Sequence, residues 1–221
     1  MTLASAQRFA IGLGIAFLLS PSTAAWSNPH RLATVPALAV GVIEGAEVGS
    51  LHYIVIQLDE DRLSRGPTVQ FSERSRGSAV GDEWKEGVQT AVTAAAQAVK
   101  EDARGWTVTI KNRAYANYTN GASASSAIAV GLIAAWRGDA LRTDAVITGL
   151  ITADGRIQPV ASLPSKLEGA ARSNMHIMLI PAGQARTDEW DLFELGRQRH
   201  ITIIEVGTLN EAYEFMTGQR P

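Results

Sequence analysis

Ser123 stands where a polar, small-residue loop, Asn117-Tyr-Thr-Asn-Gly-Ala-Ser-Ala-Ser-Ser, passes into an apolar run ending at Trp136. The spacing predicts a buried helix opening at that joint. The first turn of a helix has unpaired N–H groups and a partial positive charge. A serine there is either a cap or a nucleophile whose developing oxyanion meets those N–H groups. The second reading needs a base. There is no cysteine, which excludes disulfides, thiolate zinc sites and thiol nucleophiles. His30, His52, His176 and His200 are scattered without ligand-like spacing, and each reads as a surface or strand residue. Lys166, near the start of another predicted helix, reads on pattern alone as a solvated side chain. Composition and pattern therefore offer a nucleophile without naming its partner.

The elements that must position these groups are those of an α/β layered domain with a mixed sheet. Strands are predicted over 35–43, 50–58, 67–71, 106–110, 156–160, 176–180 and 200–206, where apolar and β-branched residues alternate or cluster. Asp144-Ala-Val-Ile-Thr-Gly-Leu-Ile-Thr reads as one buried strand, followed by a hairpin turn at Asp154-Gly155. Helices are expected over 82–100, from Ser123 to Gly138, from Pro164 to Arg172, over 188–198 and over 208–217, the last capped by Thr208. Gly105 is expected to close the first of these helical regions. Strand pairs mixed with single helices argue against a doubly wound sheet.

The chain has 221 residues, 46% hydrophobic and 19% charged, which suits one globular domain with a short appendage. A net charge of −2 gives no basic footprint for nucleic acid. Arg62, Arg65, Arg74 and Arg76 are interleaved with acids and read as a solvated loop. No Gly-rich phosphate motif is visible, so no cofactor and no metal is expected. Residues 1–25 carry Arg8, an apolar core from Phe9 to Leu19 and a small-residue exit at Ala24-Ala25. That is the pattern of a secretory signal peptide, with an uncleaved N-terminal anchor as the rival reading. Either implies export, to a periplasmic or extracellular location, with membrane contact if the leader stays. Residues 26–34 read as a flexible lead-in and 35–221 as the body.

Thr119-Asn-Gly-Ala-Ser-Ala-Ser resembles the Asp-Gly-Pro-Ser-Ala-Gly signature of the Lon-type serine peptidases. The stretch from Arg142 through Thr148-Gly149, then Gly155-Arg-Ile-Gln-Pro-Val, Leu163-Pro-Ser-Lys-Leu and Ile177-Met-Leu-Ile-Pro, resembles the rest of that proteolytic domain in the same order. The resemblance is good over roughly residues 106 to 206 and extends from about 37. It implies a Ser–Lys dyad of Ser123 and Lys166, set at the family's own spacing. It further implies that the Thr148 hydroxyl bonds the lysine amine, and that backbone amides at Ser123 and Ala124 form an oxyanion hole.

Departures from the family pattern are Asn120 for its Asp, Ala122 for its Pro, Ser125 for its second Gly and Leu150 for its Glu. Ala161-Ser162 replaces a Gly-Gly pair. Ser125 is the one expected to crowd the oxyanion pocket or alter local dihedrals. Full Lon proteases carry an ATPase that threads substrates, and this sequence has no Walker motif. The implied function is therefore an ATP-independent endopeptidase acting on unfolded polypeptides or peptides. The family also implies a homo-oligomeric ring, usually of six. The alternative is an inactive domain of the same fold serving as an exported binding or assembly module.

Overall fold

The computed structural model describes residues 31–60, 63, 65–73 and 79–221. The expected leader, and Arg62, Arg74 and Arg76, lie outside the described residues. The chain opens with a long antiparallel hairpin, β1 (Arg31–Ile43) and β2 (Ala46–Glu60), paired from Arg31↔Leu58 to Ile43↔Ala46. Glu44 and Gly45 both have positive φ, 52° and 82°. A two-residue loop of that kind matches the twist of the strands it joins. The strand starts at Arg31, so residues 31–34 of the expected lead-in belong to the sheet. Arg31 is anchored there, its guanidinium 3.7 Å from the Trp136 ring centroid and 3.5 Å from the Glu60 carboxylate.

β3 (Thr68–Phe71) and β5 (Trp106–Arg113) complete a four-stranded sheet in the order β1-β2-β5-β3. Period-two alternation sends Val35, Ala37, Ile54, Ile56, Leu58, Trp106, Val108 and Ile110 into the main core. Two helices fill that core with them. α1 (Asp82–Val99) buries Trp84, Val88, Ala91, Val92 and Ala95, and ends at Lys100 in the left-handed region. Gly105 instead closes a separate 3-10 turn, Ala103–Gly105. α2 (Ser125–Arg137) is buried at every position up to Ala135 and stops at Gly138, φ 77°. Short strands β4 (Ala79–Val80) and β6 (Tyr118–Thr119) pair in parallel and tie the loop before Ser123 to the start of α1.

The second half is a parallel sheet in the order β11-β10-β7, made of β7 (Ala145–Ile147), β10 (Ile177–Pro181) and β11 (Thr202–Val206). A small hairpin, β8 (Leu150–Ile151) with β9 (Ile157–Gln158), leads into α3 (Leu163–Arg172). α4 (Leu192–Gln198) and α5 (Leu209–Thr217) follow. Leu163, Leu167 and Ala170 of α3 pack with Leu38, Leu51, Val146, Met178 and Ile180 as a second core between the two halves.

Two expected elements differ. The strand read over 144–152 is broken at Thr148-Gly149. There the chain leaves the parallel sheet and turns its backbone to Ser123, Gly149 N–H donating to Ser123 O at 2.9 Å. The helix read over 188–198 begins only at Leu192. The Asp191 carboxylate accepts from the N–H groups of Phe193 and Glu194, and the Thr187 hydroxyl holds the preceding turn.

Candidate active site

Ser123 occupies the middle of a 3-10 turn, Ala122–Ala124, entered through Gly121 at φ 86°. Only glycine adopts that conformation without strain. The turn runs straight into α2. Neither the turn nor α2 has a side-chain capping bond, so the cap reading of Ser123 is not what the structure shows. Ser123 is half-buried and its carbonyl is pinned twice. Gly149 N–H donates to it at 2.9 Å and Thr148 Oγ1 at 3.3 Å.

Ser125 does not crowd the pocket. It has ordinary helical dihedrals, φ −64° and ψ −31°. Its buried hydroxyl accepts from Ile151 N–H at 2.9 Å and donates to Gly149 O at 3.5 Å. It fastens the β8 hairpin to the foot of α2. A similar tightness holds at Gly149, where a Cβ would sit 2.5 Å from Ile157 Cγ2.

Lys166 departs most from its pattern reading. It is 4% exposed, on the first turn of α3, facing inward. Its Nζ donates to Thr148 Oγ1 at 3.2 Å. Thr148 is fully buried, and its own hydrogen goes to Ser123 O. Its oxygen is thereby left to receive the amine. Burial lowers the amine's pKa from 10.5 to about 8, against the opposing pull of the Glu47 carboxylate. A substantial fraction is therefore neutral in mildly alkaline water, and a neutral amine is a proton acceptor.

Ser123 and Lys166 line one open cavity of about 400 Å³. The loop from Thr119 to Ala124 forms one side, and Pro159–Ser162 with Leu150 another. The Lys166 amine bonds Thr148 here, and Ser123 lines the same cavity. Leu38 to Val40 of β1, His52 of β2, and Glu83 and Trp84 of α1 complete the wall. Nothing in that wall is a cluster of metal-binding side chains.

His52 lies on the strand, one of the two places expected for it, but its burial in the cavity wall went unread. It is 2% exposed, with neither ring nitrogen bonded, and burial pushes its pKa from 6.5 down to about 4. It is a neutral imidazole in the wall of the cavity. The signal was strand parity, since 52, 54, 56 and 58 share one face and the last three are core residues. His176 and His200 are exposed, as expected. His30 lies outside the described residues.

Half-buried Ser123 and buried Lys166 thus line one cavity of a mixed α/β domain. The profile of the Lon protease (S16) C-terminal proteolytic domain matches residues 74–216. The chain belongs to that family. It is 30% identical over 104 residues to a Lon protease of Neorickettsia sennetsu, covering 46% of this chain and 12% of that protein. Over 94 residues it is 36% identical to Lon protease 2 of Herpetosiphon aurantiacus, 42% of this chain and 11% of the relative. A Lon protease of Geobacter metallireducens aligns over 93% of this chain at 27% identity, which is 25% of its own length. The chain thus spans a quarter or less of these relatives.

Proposed function

We propose that this protein is a serine endopeptidase that cleaves unfolded polypeptides or peptides without ATP, using Ser123 as nucleophile and Lys166 as base. The observation that carries the reading is the buried amine. It is held on Thr148, whose hydrogen is committed to the Ser123 carbonyl, in the cavity that Ser123 lines. Neutral Lys166 takes the Ser123 proton as Oγ attacks the peptide carbonyl carbon. The oxyanion is met by backbone N–H groups at Ser123 and Ala124. The ammonium then returns that proton to the leaving amine as the C–N bond breaks. Water, losing a proton to the same lysine, then attacks the acyl carbon, and the ammonium gives that proton to Ser123 Oγ as the ester C–O bond breaks and the acid leaves. Thr148 orients the amine throughout.

A domain kept only for its surface has no use for a buried amine, since the desolvation is a standing cost that an apolar residue removes. That favours catalysis over the inactive-module reading. Export rests on residues 1–25, and a ring-shaped oligomer on membership of the family. The test is cleavage of casein and fluorogenic peptides, with labelling of Ser123 by a serine-reactive phosphonate. Wild-type protein is expected to cleave and label. Ser123→Ala and Lys166→Met are expected to do neither while keeping the fold. Cleavage retained by either variant refutes the assignment.

A further inference from the structure

We propose that Glu47, on the opposite hairpin, is a positioning residue for the catalytic base: it docks the start of α3 and sets the charge that Lys166 faces. The inference rests on the peptidase reading and adds a residue to it.

α4 and α5 carry their own N-terminal acids, Asp191 with Glu194 and Glu211, and α1 carries Asp82 and Glu83. α3 has no acidic residue in its first turn and no side-chain cap. Glu47 supplies the missing carboxylate from β2. Its Oε1 accepts from Ser162 Oγ at 2.9 Å and its Oε2 from Ser165 Oγ at 3.0 Å. One carboxylate thus spans the residue before α3 and the third residue within it. Lys166 comes next. A negative group there also complements the partial positive charge of the helix start.

The hydroxyl of Ser162 matters for a second reason. Ser162 sits in the left-handed region, φ 59°, where a side chain is strained. Its carbonyl accepts the Lys166 N–H at 3.0 Å. The strained residue therefore sets where the lysine begins, and the bond to Glu47 holds it there. The surrounding contact is close. A Cβ on Gly49 would lie 1.8 Å from Ser165 O, and one on Gly169 2.6 Å from Gly49 C. Arg172 Nη2 donates to Gly49 O at 2.5 Å. Strand and helix are locked just beyond the carboxylate, so Glu47 is fixed relative to the amine.

The charged and titratable groups around Lys166 are few. β2 presents Glu47 and the neutral His52, and α1 presents Glu83 at the cavity wall. On α3 itself, Glu168 is paired with Arg199 at 2.9 Å and Arg172 is turned to Gly49. Of these, the Glu47 carboxylate is the charge that acts on the amine, and it favours the ammonium. Burial and Glu47 pull in opposite directions, with burial the larger, and the balance leaves the amine titrating near 8.

Glu47→Gln tests the charge. A carboxamide accepts from one serine hydroxyl and donates to the other, so the dock is kept while the charge goes. The measurements are the pH dependence of kcat/KM on a fluorogenic peptide and an NMR titration of the Lys166 ε-carbon, which needs no turnover. In Glu47→Gln both midpoints are expected to fall by roughly half a pH unit, the scale of a partly screened charge. Glu47→Ala, which removes the dock, is expected to lower kcat about tenfold or more at every pH. Coincident ε-carbon titrations in wild type and Glu47→Gln overturn the proposal. A shifted titration in a protein that neither cleaves peptide nor labels at Ser123 overturns the peptidase reading and leaves the electrostatic coupling standing.

Discussion

The beginnings of α4 and α5 differ from those of α2 and α3. Asp191 closes α4, and Thr208 with Glu211 forms a reciprocal capping box at α5. α2 and α3 receive nothing from their own first residues. Their foundations come from elsewhere in the chain: Thr148, Gly149 and Ile151 at the foot of α2, and Glu47 at the foot of α3. The self-capped helices hold the fold. The other two begin at the cavity, with the Lys166 amine turned inward, and their support is supplied from the side.

The comparison breaks most visibly at Lys166. Lys166→Met is expected to reduce peptide cleavage at least about a thousandfold, because the serine loses its proton acceptor. The same variant is expected to be more stable at pH 7, by roughly 1–3 kcal/mol, since a buried amine is replaced by an apolar chain of similar length. Thermal melts beside the assay would show both effects. Gain of stability with loss of function is the signature of a site residue, and no self-capping residue can give it.

Thr148→Val is the next step down. It keeps the shape but removes the acceptor of the amine, and is expected to lower kcat about 10–100-fold and stability by about 1–3 kcal/mol. Single-turnover kinetics and denaturant melts separate the two. In the wild type, kcat/KM is expected to climb with pH through a midpoint near 8, as the amine becomes neutral. The folded amine titrates near 8 against 10.5 unfolded, so stability also rises with pH between those values. An activity profile flat across pH 7 to 9 would rule out Lys166 as the base.

His52 extends the comparison to the cavity wall. Its folded pKa near 4 lies below the unfolded 6.5, so the unfolded chain binds the extra proton between them. Stability is therefore expected to fall by about 3 kcal/mol as pH drops from 6.5 towards 4. His52→Leu should flatten that decline in urea melts run across the range. A smaller effect belongs to the self-capped end. Thr208→Ala is expected to cost about 1 kcal/mol and leave kcat unchanged. Ser123→Ala is expected to stay within about 0.5 kcal/mol of wild type, having no cap to lose.

Local pattern made much of the frame legible. Alternation from Ser50 to Leu58, the apolar stripe of α1, Pro164 at the head of α3 and Thr208 at the head of α5 are short-range signals, and each marks its element. The break at Thr148-Gly149 was not legible. Its cause is a hydrogen bond to Ser123, a partner remote in sequence, and apolar residues on both sides read as one strand. Lys166 is the same case. Nothing in Leu-Pro-Ser-Lys-Leu says that the amine will be buried against Thr148, and only the family resemblance pointed to it. Glu47 had no sequence signal, because its two serines are far along the chain. His52 could have been found by carrying strand parity through to its consequence.

Thr148 and Gly149 are consecutive, and between them they hold the lysine amine and the serine carbonyl. Ser123 and Lys166 therefore take their relative placement from a common peptide unit. A displacement of one sheet against the other is therefore expected to carry the two residues together. Activity on warming should then persist through gentle breathing of the domain and fail abruptly, at the temperature where that single linkage lets go.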